Sequence, residues 1–186
     1  MRKTILLLFA LLIGAAGAQN APDFDDYFTG GALRLELFQT GDSDEEIISM
    51  GQICREPLWP GSRARLIDRF NNGRYEIKVY DIATNLLIYS SGFDCMYGEY
   101  RTTTPALEGI KRTFRRAVRI PLPKRPVNFV LEKRDRNNLP APFFILRIDP
   151  ADYHINTEAV KTGEIHEAHI SGDPAVCADL LFIAEG

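Results

Sequence analysis

The stretch that decides the fold is residues 75–89, which read YEIKVYDIATNLLIY. Tyr75, Ile77 and Val79 alternate with polar residues, and a side-chain period of two is typical of a half-buried β-strand. The residues Asp81 to Leu86 then place Asp, Thr and Asn between two strand-like runs, which is the composition of a turn. This stretch therefore predicts an antiparallel β-hairpin.

The same period of two continues on both sides of the hairpin. It recurs in Leu33 to Leu37 and in Val127 to Leu131. Further strands are predicted at Ala64 to Phe70 and at Phe143 to Ile148. Turn signals rich in Gly, Asn and Asp separate these runs at short intervals, which is typical of a sandwich of antiparallel sheets.

One stretch fits both a helix and a strand. Ile110, Phe114 and Val118 lie on one helical face, yet Phe114, Val118 and Ile120 also lie on one face of a strand. We favour a short turn of helix around Pro105 to Gly109, followed by a strand that runs into prolines suited to a sheet edge or a bend.

These elements predict an all-β fold. We expect an antiparallel β-sandwich of about seven strands, immunoglobulin/fibronectin-like in style, with a short helix and a C-terminal extension. The sandwich would occupy residues 19–153, and residues 154–176 would be a linker or an extra strand. Residues 177–186 contain the apolar run Leu180 to Ile183, which has the pattern of a buried strand from a further, truncated domain.

The N-terminus has the pattern of a secretory signal. Arg2 and Lys3 precede an apolar run that is too short to span a membrane, and Ala16-Gly17-Ala18 supplies small residues for cleavage. We therefore expect residues 1–18 to be removed and the mature protein to be exported to the periplasm, the cell surface or the medium. Because the apolar run is short, no transmembrane span is expected. Loss of Arg2 and Lys3 changes the formal charge from −3 to −5, so no nucleic-acid partner is expected.

No residue set is predicted to be catalytic, to bind a cofactor or to hold a metal. His166-Glu167-Ala168-His169 is one residue shorter than the zinc-peptidase motif H-E-x-x-H, so we interpret both histidines as surface residues. Two acidic clusters, in 23–26 and 42–46, are open to a calcium role, but neither has the spacing of a calcium loop and solvated turns are favoured. Cys54 and Cys95 either form one disulfide or remain thiols, as Cys177 does.

The residues singled out for a possible recognition surface are one tryptophan and a basic strand. Residues 56–63 place the only Trp among two prolines and a glycine, in a loop that either caps the sandwich or presents Trp59 to a partner. The basic strand is either a solvated face or a patch for an acidic partner or polyanionic glycan. The candidate residues are Trp59, Arg112, Arg115, Arg116 and Arg119.

Several segments in this order resemble one known family. They are Asp25 to Gly30, Glu56 to Arg63, Lys78 to Asp81, Leu87 to Ser90 and Phe129 to Asp135. Together they resemble the N-terminal domain of IgA-peptidase-like secreted zinc metallopeptidases, metallopeptidase family sixty-four. The resemblance implies a β-rich domain followed by a catalytic domain that opens with a strand like Ala178 to Gly186 and carries H-E-x-x-H further on. It implies zinc only in that missing catalytic domain.

Two functions are left open. The chain is either a non-catalytic accessory domain, which stabilises or orients its own C-terminal peptidase domain or contributes to recognition of a protein substrate, or an independent exported module that binds a glycan or protein. A third interpretation, an enzyme that uses His166 and His169, predicts stoichiometric zinc in the purified chain. The chain by itself is not expected to be an enzyme.

Overall fold

The fold consists of two antiparallel sheets packed face to face. The computed structural model describes residues 21–158. The three-stranded sheet A has the order β2-β1-β5, and the four-stranded sheet B has the order β4-β3-β6-β7. The strands are β1 (Phe28–Gly41), β2 (Glu46–Glu56), β3 (Tyr75–Asp81), β4 (Leu87–Phe93), β5 (Arg112–Pro123), β6 (Val127–Arg134) and β7 (Pro140–Ile148). The helices are α1 (Phe24–Tyr27), α2 (Met96–Tyr100) and α3 (Thr104–Leu107).

The predicted all-β sandwich is confirmed, and its strand order shows both a likeness to and a difference from the immunoglobulin arrangement. If the seven strands are matched in sequence order, β3, β6 and β7 of sheet B have the order of immunoglobulin strands C, F and G. Strand β4, at the edge of sheet B, corresponds to strand D, which lies in the other sheet of the immunoglobulin arrangement. In sheet A, however, the first strand lies in the centre and pairs with both the second and the fifth. The immunoglobulin arrangement has the second strand there.

The central hairpin is confirmed. Strands β3 and β4 pair through residues 75–93, and the turn is closed by an Asp81 N–H bond to the Leu86 carbonyl at 3.0 Å. The carboxylate of Asp81 accepts hydrogen bonds from the backbone and hydroxyl of Thr84, and Asn85 takes the left-handed φ of 55° that Asn tolerates. The turn residues identified in the sequence therefore hold the hairpin closed.

The core lies between the sheets and is built from the alternating residues. Leu35 and Leu37 of sheet A and Val79, Phe129 and Leu131 of sheet B are at most 1% exposed. Because the side-chain period of a strand is two, the intervening residues point to the outer faces. The alternation in the sequence thus identified the buried face of each of these strands.

The predicted strand at Ala64 to Phe70 is wrong, because these residues are irregular. The structure instead contains a strand that was not predicted, β2, at residues 46–56. Residues 64–70 run beside the edge of β4, where Ser90 N–H donates to the Leu66 carbonyl and Gly92 N–H donates to the Asp68 carboxylate, both at 2.9 Å. The segment covers an exposed strand edge without forming a ladder. Strand β2 escaped prediction because a bulge opposite Leu35 to Leu37 interrupts its alternation.

The ambiguous stretch contains both predicted elements. A short helix, α3, starts with Pro105 in its first turn, and β5 follows from Arg112. Pro121 and Pro123 lie on β5, which is an edge strand of sheet A, so a missing N–H does not break a central ladder.

Cys54 and Cys95 are both free thiols, which rejects the disulfide alternative. Cys54 is buried on β2, whereas Cys95 is half-buried and its Sγ donates to Gln39 Oε1 at 3.3 Å. Between residues 21 and 158, no helix is long and apolar enough to cross a bilayer. The predictions for 1–18 and 159–186, including His166, His169 and Cys177, lie outside the described residues.

Candidate functional site

Trp59 packs against the sandwich rather than standing free. Its ring is half-buried and meets Tyr89 edge-on, with the ring centroids 5.6 Å apart. Its backbone N–H donates to the Gly30 carbonyl at 2.8 Å, and its indole N–H donates to the Ser62 carbonyl at 3.3 Å. These contacts tie the loop to the start of β1, so the geometry supports the capping interpretation of this loop.

A cleft of about 530 Å³ lies between the Trp59 loop and β4. Its lining includes Trp59, Tyr89, Arg65 and Phe70, and the last of these is 83% exposed. The carboxylate of Asp68 also lines the cleft, but it accepts three backbone N–H bonds, from Gly92, Asn71 and Phe70, and these hold its pKa below the usual range. Asp68 is therefore engaged in holding the loop to the sheet edge.

Two of the candidate arginines lie on the outer face of sheet A and pair with carboxylates there. Arg115 Nη2 is 2.6 Å from Glu36 Oε2, and Arg119 Nε is 2.7 Å from Glu56 Oε2. Arg34 lies between them and contacts both Glu36 and Glu56. The hydrogen bond from Arg115 is the main reason that the pKa of Glu36 lies below its usual range. The positive charge of this face is thus largely neutralised by neighbouring carboxylates.

The other two candidate arginines contact aromatic rings. Arg116 is half-buried on the core side of β5, with its Cζ atom 4.7 Å from the centroid of the Phe93 ring. Burial lowers the pKa of Arg116. The exposed side chain of Arg112 lies over Tyr100 and Phe114, at 5.8 and 5.6 Å from the ring centroids. The strand's alternation therefore separates Arg116 from Arg115 and Arg119.

The structure does not bring the candidate recognition residues together. Trp59 is bonded to Gly30 at the start of β1, whereas Arg112 is paired with Gly41 at the end of that strand. At a rise of about 3.3 Å per residue, these two ends are roughly 36 Å apart. A role of Trp59 or of the arginines in recognition remains a prediction, but a single compact ligand site does not contain all five.

Sequence reasoning missed a buried polar cluster at the Gly41 end of the sandwich. The Glu46 side chain is 4% exposed and accepts hydrogen bonds from Gln39 Nε2 and Tyr75 Oη, each at 2.7 Å. Lys133 Nζ lies 3.2 Å from the same carboxylate. Burial and the Glu46 carboxylate raise the pKa of Tyr75 well above its usual range. The one sequence signal was Gln39, a polar residue at a core-facing position of β1.

The acidic clusters are used mostly in local structure. Asp23 caps α1 by accepting a hydrogen bond from the backbone of Asp25 at 2.8 Å. Asp42 accepts from the backbone N–H groups of Asp44 and Glu45, and these two bonds are the main reason for its lowered pKa. Within residues 21–158, no group of three or more His, Cys, Asp or Glu side chains is arranged to hold a metal ion.

The chain turns back onto sheet A after its last strand. Residues 149–156, which we call the strap, lead from the end of β7 to the edge of β2. Asn156 pairs with that edge through two backbone bonds, to Ile53 O at 2.8 Å and from Arg55 N at 2.7 Å. Ile155 of the strap is 6% exposed and belongs to the core. The strap therefore fixes the end of the described range against sheet A.

The comparison with known families agrees with the resemblance noted in the sequence. No curated protein matches the chain. The family described as peptidase M64 N-terminus matches residues 23–144. The match begins at the cap of α1 and ends within β7, so it spans nearly all of the sandwich. This chain belongs to the peptidase M64 N-terminus family.

Proposed function

We propose that this chain is the non-catalytic N-terminal accessory domain of an exported bacterial zinc metallopeptidase. The observation that carries the proposal is the family match over residues 23–144, because it covers the sandwich itself. Zinc and the catalytic residues would belong to a peptidase domain that follows along the same chain. The sandwich would stabilise or orient that domain or contribute to the recognition of its protein substrate.

The way the polar groups are used supports an accessory role over an independent ligand-binding module. Trp59 packs on Tyr89, and the charges of Arg115 and Arg119 are compensated by Glu36 and Glu56. A module that bound a glycan through these residues would be expected to present them together and unpaired. We further propose that residues 1–18 act as a cleaved signal, which would place the mature protein outside the cytoplasm.

The proposal is tested by expressing the whole reading frame beside the chain that stops at Gly186. We expect stoichiometric zinc and peptidase activity in the longer product alone, with an exported form that begins at Gln19. Replacing the first histidine of the downstream H-E-x-x-H motif should abolish activity and leave the sandwich folded, since that residue is a zinc ligand in such motifs. Zinc and peptidase activity in the chain that stops at Gly186, or a reading frame that ends there, would contradict the accessory role.

A further inference from the structure

An open groove lies beside the point where the chain leaves the strap. It has a volume of about 730 Å³ and lies between the end of β5, the edge of β2 and the strap. Its lining includes Arg55, Leu122, Lys124, Tyr153 and Thr157. Because Thr157 itself lines the groove and Asn156 is bonded to β2, the described part of the chain ends at the groove.

The groove presents two cations and one carboxylate, Asp152, which bonds to His154 rather than to either cation. Arg55 Nη2 donates to the Pro150 carbonyl at 2.7 Å, and Lys124 Nζ donates to the Asp25 carbonyl. Neither side chain forms an ion pair with any other residue in the range 21–158, unlike Arg115 and Arg119 on the outer face of sheet A. Two cations stand against one carboxylate in the groove, so its lining keeps an excess of positive charge in a protein whose formal net charge is −3.

The groove also presents an aromatic side chain to solvent. Tyr153 is 87% exposed, and its ring lies 3.8 Å from that of His154, centroid to centroid. Asp152 fixes His154, because it accepts hydrogen bonds from the backbone and the ring of His154 at 2.9 Å. Tyr153 thus has a fixed ring beside it and a large exposed surface, and an aromatic side chain of this kind is a suitable anchor for a partner.

The chain that follows has the complementary charge. Residues 158–173 contain Glu158, Glu164, Glu167 and Asp173 against the single cation Lys161. They are also tethered directly to the groove, and a short tether raises the effective concentration of a segment to the order of millimolar. Contacts too weak to hold a separate molecule are then sufficient to hold this segment.

We propose that the groove is the docking site for the chain that follows Glu158, with the acidic residues of 158–173 facing Arg55 and Lys124. Docking there would give the accessory domain a defined orientation relative to whatever follows. To the extent that the docked chain leads into a peptidase domain, this inference rests on the function proposed above.

The test uses the full-length mature protein and the rate at which trypsin cleaves after Lys161. Docking shields this bond, so Arg55→Glu and Lys124→Glu should each speed cleavage by roughly 2- to 10-fold, because each replaces an attraction with a repulsion. Arg147→Glu is the matched control, since Arg147 is exposed on β7 and outside the groove. It should leave the rate unchanged. The thermal midpoint of each variant confirms that the sandwich is folded.

Two results would overturn the docking proposal. One is a cleavage rate that is the same in wild type and in both groove variants, and the other is equal acceleration by Arg147→Glu. Tyr153→Ala adds a variant with no change of charge and should also accelerate cleavage. Peptidase activity is measured in the same samples. If the protein is an active peptidase but the groove variants do not change the cleavage rate, docking alone is refuted. If the protein has no peptidase activity but the groove variants speed cleavage as expected, the accessory function alone is refuted.

Discussion

Replacement of Trp59 by alanine separates a capping role from a binding role. Complete truncation of a buried Trp costs about 3–5 kcal/mol. Because Trp59 is half-buried, meets Tyr89 edge-on at 5.6 Å and makes one long hydrogen bond, we expect about half of that, roughly 2 kcal/mol. For a domain of this size the thermal midpoint should fall by about 7 °C. The assay is thermal unfolding of the mature chain followed by far-UV circular dichroism, which does not depend on the lost fluorophore.

The neighbouring residue supplies the control. Leu58 is 70% exposed, so Leu58→Ala should change stability by no more than about 0.5 kcal/mol. If Trp59→Ala were as stable as the wild type but lost binding to a glycan or to a surface protein, the capping argument would be refuted and the independent module favoured. In the intact protein, quenching of Trp59 fluorescence by acrylamide also measures how well the ring is packed, since a packed ring is quenched less readily than an exposed one.

Two further predictions concern the carboxylates and the buried tyrosines. Asp68→Ala should destabilise the protein by about 2 kcal/mol in urea unfolding and increase aggregation, because it frees the β4 edge; the exposed Asp44→Ala is the control, and equal behaviour of the two would argue against the covering role. The pKa values of Asp68, Glu36 and Asp81 are lowered in the folded state. As the pH is lowered, the carboxylates of the unfolded chain therefore take up protons before those of the folded chain. The free energy of unfolding should thus be at its full value above about pH 5 and fall below about pH 4. Burial raises the pKa of Tyr97 to about 12, so stability should also fall as the pH rises above about 10. Unfolding free energies measured from pH 2 to 11 check both limits, and a flat profile at either end would be contrary to this reasoning.

The parts of the fold that could be predicted are those with a local signal. Residues 75–89 carry both the alternation and the turn chemistry of a hairpin, and that hairpin is present with Asp81 closing its turn. Strand β2 could not be predicted from alternation because its bulge shifts the register. The stretch 64–70 was predicted to be a strand, but in the structure it runs beside the β4 edge, with the Leu66 carbonyl bonded to Ser90 N–H, and does not extend a ladder.

The candidate recognition surface also shows which features have a local sequence signal and which do not. Sequence spacing identified a basic strand whose arginines were candidates for one surface, whereas the structure places Arg116 on the core side of β5 and Arg115 and Arg119 on the outer face. The carboxylates that pair with Arg115 and Arg119, Glu36 and Glu56, lie 79 and 63 residues away in sequence. No local pattern could show that the charge of this strand is compensated within its own sheet.

The sequence by itself determined the strand class, the central hairpin, the buried face of most strands and the family. These depend on side-chain period and turn composition, which act over a few residues. The tertiary structure alone decided that β1 lies at the centre of sheet A and that the strap returns to β2 beside Arg55. Those features depend on which distant edges meet when the sheets pack, because backbone groups at a sheet edge are satisfied by whichever segment reaches them.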